Sequence, residues 1–465
     1  MALKRGGDEV KDLTQGSVLR HVLTMAAPIA FGMLFQTLYY LVDLYFVARL
    51  GDDAVAGVSA AGNVMLIIFA LTQVLGVGAV ALISHAVGRK DRQEANLLFN
   101  QSLAISALMG LITLVAGYAL VPVYMGFIAA DPATELAGRV YLYWFIPGLA
   151  LQFAVVSMGS ALRATGIVKP TMIVQIVTVL QNVVLAPVLI AGWGTGKPLG
   201  VAGAGLASTL SIVTAVVMLW LYFVRLEKYV SFDRTQWRPQ FHAWRRMLNV
   251  GLPSGGEMLF MFVFVGVIYW CIRNEGSTAQ AGFGIGSRIT QSIFLPAMAV
   301  AFAAGPVAGQ NFGARNFARV REAFYRTAVV ISVIMATLTV LAHWSPALLV
   351  AAFSSDAEVG AVAETFLIIS SYNFVAQGLI FTCSSMFQGL GDTRPALLST
   401  STRLATFVPP AIWLSAQEDF RVEHIWYLSV ATVTLQAIFS VLLVRWQFRR
   451  KLPQEGTALQ GDVVM

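Results

Sequence analysis

Hydrophobic residues in this chain come in long blocks, and polar residues are largely confined to the short stretches between them. Twelve blocks can be marked, at about residues 18–47, 54–87, 94–118, 136–161, 171–193, 201–224, 247–272, 279–311, 323–343, 360–387, 397–416 and 424–447. Each is roughly 20 residues or longer, the length at which an α-helix crosses the hydrocarbon core of a bilayer. The pattern predicts an all-α integral membrane protein with twelve transmembrane helices.

The pattern also repeats. At an offset of 225 residues, Pro28 falls on Pro253, Ala56-Gly57 on Ala281-Gly282, Gly88 on Gly313, Asp131 on Asp356, Leu142 on Leu367, Gly166 on Gly391 and Pro170 on Pro395. The register holds through almost the whole chain, so six blocks belong to each copy. Six is even, so both copies enter the membrane from the same side and form parallel-repeat six-helix lobes. The expected organisation is an N-terminal segment 1–17, a first lobe 18–224, a linker 225–246, a second lobe 247–447 and a tail 448–465.

Composition supports this reading. Only 12% of the 465 residues are charged and 57% are hydrophobic, whereas a soluble domain carries about 25% charged residues. The formal charge of +7 is a topology signal: 24 of the 31 Lys and Arg lie in segments sharing one face, including Arg89-Lys90-Arg92, Arg225 to Arg246, Arg315 to Arg326 and Arg445 to Lys451. The opposite face has five: Arg49, Arg139, Lys197, Arg273 and Arg421. The positive-inside rule then places both termini in the cytoplasm, with the chain in the cytoplasmic (inner) membrane, and it leaves no role for nucleic acid. The first block is too long for a signal-peptide core and reads as an uncleaved span. In the linker, Trp237, Phe241 and Trp244 alternate with basic residues, which suits a short helix lying in the interface. Cys271 and Cys383 have neither CxxC spacing nor a disulfide framework and read as packed thiols.

Few polar side chains stand inside the blocks. Asp43 and Glu257 are the deeply placed acids. A charged acid at bilayer depth costs at least a few kcal/mol, so it must be protonated, paired with a cation or wetted, and each of these is a coupling role. Gln36, Tyr39, Tyr40 and Asp43 share one helical face. Glu257 stands at the repeat position of Gly32, with Phe260, Met261 and Phe264 on its stripe. Aromatic and methionine side chains beside a carboxylate suit a flat, apolar cation. The fifth block carries a polar stripe of Gln175, Thr178 and Asn182, with Pro187 a turn later to bend the helix. Arg288 and Arg403 are cations within blocks, and Glu257 is a candidate partner for either. Gly282-Phe283-Gly284-Ile285-Gly286 follows no strand, so it reads as helix packing and not as a dinucleotide loop. No HExxH, GxSxG or Walker A sequence is present, so neither an enzyme nor an ATP-driven pump has support.

The loops then resemble a known family. Gln310-Asn311-Phe312-Gly313-Ala314-Arg315-Asn316 is similar to the GQNxGAxN signature of multidrug and toxic compound extrusion (MATE) transporters. Arg163-Ala164-Thr165-Gly166 with Pro170, and Gly389-Leu390-Gly391-Asp392-Thr393-Arg394-Pro395, resemble that family's paired turns. Leu41-Val42-Asp43 with Arg49-Leu50-Gly51 fits its first span, and Gly251-Leu252-Pro253-Ser254 its seventh-span entry.

The resemblance implies a V-shaped transporter that exports organic cations or other amphipathic drugs in exchange for H⁺ or Na⁺, with no other cofactor and no bound metal. It assigns cation coupling to Asp43, Gln36 and Asn182, and residue reading adds Glu257. Tyr39, Tyr40, Gln175, Thr178, Met261, Phe264, Arg288 and Arg403 are the candidates for substrate contact. The acid expected four residues after Asn182 is absent, since the position is Ala186. One acid fewer favours H⁺ over Na⁺, which needs several oxygen ligands. The expected state is a monomer surrounded by membrane lipids. The alternative is a lipid-linked precursor flippase of the same fold, kept open by Arg288 and Arg403. A channel or receptor is disfavoured by the duplication, and a major-facilitator reading by the short Gly88-Arg89-Lys90-Asp91-Arg92 loop.

Overall fold

The computed structural model describes residues 12–452 apart from 228, 352, 354 and 355. The first repeat supplies α1 (Val18–Ala48), α2 (Asp52–Gly88), α3 (Arg92–Ile128), α4 (Pro132–Ala164), α5 (Lys169–Ile190) and α6 (Val201–Arg225). The second supplies α7 (Phe241–Cys271), α8 (Gly276–Gly313), α9 (Phe317–Trp344), the short α10 (Pro346–Ala351), α11 (Ala357–Ser371), α12 (Phe374–Gly389), α13 (Arg394–Ser415) and α14 (Val422–Lys451). No strand occurs among the described residues. Ten of these helices are long and apolar enough to cross a membrane on their own. α11 and α12 together make an eleventh span, and α13, 22 residues long, is too interrupted by polar side chains to qualify on hydropathy but stands at the repeat position of α5, consistent with a twelfth.

The tenth span differs from the continuous helix its hydrophobicity predicts. It breaks between Ser371 and Phe374 with a bend of 58°. The sequence Ser370-Ser371-Tyr372-Asn373 offers local alternatives to the helical ladder: Ser371 Oγ donates back to the Ile368 carbonyl, and the Asn373 amide to that of Ser370. The carbonyl of Ser371 is taken up by Thr339 Oγ1 of α9 at 3.0 Å. A backbone group released from a helix at membrane depth must find such a partner.

Turns recur at the repeat offset. Asp131 caps α4 by accepting from the amides of Ala133 and Thr134 at 2.8 and 2.9 Å, and Asp356 caps α11 through Glu358 and Val359 at 2.9 and 3.1 Å. Hydrogen bonds from Thr134 and Ala133 hold the exposed Asp131 carboxyl below the usual carboxylate range. Lys90 and Arg315 both adopt left-handed backbone, with φ of 60° and 59°. The same turn is therefore built twice from different side chains.

The two compact units of the chain do not follow the repeat boundary. Ala27–Leu252 form one unit, and Leu13–Ala26 join the residues from Pro253 onward in the other. Thus α1 changes unit one residue before Pro28, and α7 changes unit at Pro253, its repeat partner. In the first unit, α2 and α7 cross backbone to backbone. A β-carbon on Gly78 would overlap the carbonyl of Met247, and one on Gly251 would overlap that of Val74. Two glycine contacts spaced four residues apart on both helices make a small-residue crossing. The core of this unit is centred on Phe99 stacked on Phe223 at 4.7 Å. In the second unit Phe283 stacks on Trp426 at 5.2 Å. Cys271 and Cys383 are free and buried, as packed thiols.

The linker also differs from the interfacial helix expected of it. Among its described residues before α7 the helical element is a single 3₁₀ turn, Arg234–Trp237, and Phe241 and Trp244 already belong to α7. Buried amides of α3 hold this segment. Asn100 accepts from the Asp233 amide and Trp237 Nε1, at 3.0 and 3.1 Å, and donates to the Ser231 carbonyl at 2.9 Å. Gln101 accepts from the Gln240 amide and Trp244 Nε1, at 2.9 and 2.8 Å, and donates to the Arg238 carbonyl at 2.9 Å. In the second unit a parallel arrangement holds the entry to α1. The Leu13 amide donates to Gln310 Oε1 and Asn311 Nδ2 to the Leu13 carbonyl, both at 3.1 Å, and Arg319 donates to the Gly16 carbonyl at 2.8 Å. The Gln310-Asn311 motif is thus a clamp on the segment that leads into the first span.

Candidate functional site

In the second unit Glu257 lies one turn past Pro253 on α7. Ser384 Oγ of α12 is 3.2 and 3.4 Å from its two carboxylate oxygens. The carboxylate borders a narrow crevice whose other polar walls are Ser384, Ser399, Gln436 and Ser440, with Ile380, Phe387 and Ala396 as apolar walls. Ser399 and Ser440 bond each other at 2.6 Å. Gln436 donates to Thr400 Oγ1 at 3.3 Å, while its buried Oε1 has no partner. An acid, hydroxyls and an unpartnered amide oxygen among apolar walls can take up a proton or one small cation. Among the described residues no group of three or more His, Cys, Asp or Glu gathers as a metal site would require.

Sequence reading found Glu257 but not Ser384, Ser399, Gln436 or Ser440. The available signal was Gln436, an amide inside the apolar run of α14, with Ser440 one turn on.

In the first unit the polar groups are arranged otherwise. Asp43 is 9% exposed, and its enclosed Oδ1 has no partner among the described residues. Asn182 is fully buried, and neither atom of its amide finds a partner. Gln36 is half-buried, and Tyr39 donates from α1 to Ser208 Oγ of α6 at 2.8 Å. The side chain of Tyr40 lies outside the described residues. Gln175 packs its amide oxygen directly over Gly32 of α1. Thr178 Oγ1 donates back to the Gln175 carbonyl at 2.9 Å. A buried amide and a buried carboxylate oxygen with open valences are groups that a ligand can satisfy.

Of the two arginines that the sequence offered as candidate partners for Glu257, neither pairs with it among the described residues. Arg403 places its guanidinium carbon 3.9 Å from the ring centroid of Phe264, and Arg288 is exposed. Among the described residues neither forms an ion pair, and Glu257 is met by a neutral hydroxyl instead. Stacking on an aromatic face attracts a planar guanidinium without a carboxylate, while its in-plane N–H groups stay free to donate. Met261, on the same stripe of α7, is 50% exposed.

The MatE family model matches residues 28–188 and again 253–413. The chain belongs to the MatE family. The two matches stand at the 225-residue offset read from the sequence, so the family unit is the repeat itself. Among curated relatives, the probable multidrug resistance protein YoeA of Bacillus subtilis is 23% identical over 441 residues, covering 93% of this chain and 95% of its own. The multidrug export protein MepA of Staphylococcus haemolyticus is 23% identical over 448 residues, covering 96% and 97%. Among solved structures, a MATE in the straight conformation superposes with a TM-score of 0.89 at 24% identity, covering 96% of this chain and 99% of that one. A transporter of the MOP superfamily from Pyrococcus furiosus, described as having a binding pocket of reverse polarity, also gives 0.89, at 23% identity and 97% and 100% coverage. These likenesses establish a MatE membrane-transporter fold along the whole chain. Within that frame Gly32 and Glu257 hold equivalent places in the two MatE repeats, and so do Thr178 and Arg403.

Proposed function

We propose that this MatE protein is a secondary multidrug exporter, an antiporter that moves organic cations or other amphipathic compounds outward in exchange for H⁺. The observation that carries the coupling step is Glu257, a carboxylate in a membrane-spanning helix to which, among the described residues, only the neutral Ser384 is bonded. A bare charge at such a place costs several kcal/mol. A proton removes that cost, and so does an organic cation, so each is favoured to replace the other. Asp43, with its open Oδ1, offers the same exchange in the first unit, with Gln36 on the same helix and Asn182 on α5 as the further coupling candidates.

The multidrug resistance and multidrug export roles carried in the names of YoeA and MepA support a drug substrate over a lipid-linked precursor. The sparse acid content around Glu257 supports H⁺ over Na⁺. The substrate is read onto Tyr39, Tyr40, Gln175, Thr178, Met261, Phe264, Arg288 and Arg403. Alternating access of a monomer in the inner membrane, both termini cytoplasmic, completes the reading; the Lys and Arg distribution supports the orientation.

The test is ethidium transport by the full-length protein in proteoliposomes, under an imposed pH gradient or an imposed Na⁺ gradient. The pH gradient should drive transport and the Na⁺ gradient should not, and Asp43→Asn or Glu257→Gln should abolish the response. Retention of driven transport in both variants would sink the coupling step.

A further inference from the structure

Arg403 is the tenth residue of the 22 in α13, about 14 Å along the helix from its start, and therefore far from either end. Its guanidinium lies on the face of Phe264, and that ring packs on Phe407 with centroids 4.4 Å apart, so the cation rests on a fixed aromatic platform. Its Nε is enclosed and has no acceptor. The residue as a whole is partly exposed, so its outer edge can be reached. Among the described residues no carboxylate pairs with it, and Glu257 is held by Ser384 instead.

An arginine cannot relieve its charge by losing a proton, and stacking on a ring face leaves its in-plane N–H donors open, so an anion at its edge would complete it. The first repeat has Thr178 at this place, so the charge is not demanded by the shared fold. On the same face of α7, Met261 precedes Phe264 by one turn and is half exposed, an adaptable apolar surface beside the cation.

We infer that Arg403 is a specificity residue that binds an acidic group, such as a carboxylate, on the transported amphipath, with Phe264 holding the guanidinium and Met261 receiving the apolar body. The inference rests on the exporter reading and narrows its substrate class: the second unit accepts amphipaths that carry an acid as well as simple cations. A planar guanidinium locked at one face presents its edge to a carboxylate as a two-pronged donor.

The test uses a rhodamine free acid and its ethyl ester, which share one cationic ring system and differ in a carboxylate. Binding to the full-length protein is read by fluorescence polarisation, and transport is read in proteoliposomes. Arg403→Gln should weaken binding of the free acid by about tenfold or more and leave the ester within about twofold; a charge-assisted hydrogen bond of ~1.4 kcal/mol corresponds to the former. Arg403→Lys should keep part of the preference, which a purely packing role would not require. Equal losses for both dyes, or an unchanged free-acid affinity, overturns the inference. So does native mass spectrometry showing that Arg403→Gln sheds a bound anionic lipid while both dye affinities hold. If neither dye is transported by the unmodified protein, the exporter reading fails, while the binding comparison still decides the role of Arg403.

Discussion

Gln175 of α5 lays its side-chain amide over Gly32 of α1, the position at which the second repeat carries Glu257. The first unit therefore fills with a neutral amide from a neighbouring helix the place that the second unit fills with an acid of its own. Its acid, Asp43, lies three turns further along α1.

A methyl group at Gly32 would meet the far end of Gln175, a flexible side chain. Gly32→Ala should therefore cost less than about 1 kcal/mol of stability, because only a side chain has to move. It should nonetheless lower drug transport, and Gln175→Ala should lower it alike. Thermal unfolding in detergent beside dye efflux checks this; a large fall in unfolding temperature would show that the contact is structural.

Ser384→Ala removes the hydroxyl bonded to Glu257 and leaves the acid in place. The expected effect is a change of about tenfold or more in the concentration of driving ion at half-maximal transport, the worth of one hydrogen bond to a charged group. Glu257→Gln should remove driven transport altogether while the protein stays folded. If Ser384→Ala behaves like Glu257→Gln, the hydroxyl does more than orient the acid.

Gly251 and Gly78 pack against backbone, which cannot turn aside as a side chain can. Gly251→Ala should destabilise the protein by roughly 3 kcal/mol and reduce its yield in the membrane. Gly62→Ala serves as the control, since a β-carbon there meets nothing within 4 Å. Folding yield and unfolding temperature of the two variants should separate clearly.

Gln101 is fully buried and binds the segment before α7 through both ends of its amide. Gln101→Leu would leave the Trp244 indole, the Gln240 amide and the Arg238 carbonyl without it, at a cost of about 2–3 kcal/mol. The linker should then become open to limited proteolysis near residues 231–240. Asn311→Ala should act in the same way on residues 13–16, where the Leu13 carbonyl would lose the nearer of its two donors and keep only Arg319 at 3.4 Å.

Some of this was legible in the sequence because the signal is local. A bilayer demands long apolar helices, so block length alone announced the spans, and the 225-residue register announced the two copies that the family model matches. The paired Asp131 and Asp356 could be aligned by eye, and both became helix caps. Glu257 and Asp43 stood out because acids are rare where burial costs them most.

The remainder depended on which groups meet in space. Nothing in the periodicity of α1 or α7 tells where each leaves one compact unit for the other, at Ala26 and at Leu252. The bend at Ser371 needed Thr339 from another helix to receive a carbonyl. The linker became a clamped segment because Asn100 and Gln101, 130 residues or more away in sequence, take up its backbone. Arg403 could meet an acid or an aromatic face, and it lies on Phe264 while no carboxylate among the described residues pairs with it. Hydrophobic burial is set by composition and period, so the sequence by itself determined the twelve spans and their duplication. A polar group inside a membrane is satisfied by a particular neighbour, so the tertiary structure alone decided which residues make a site.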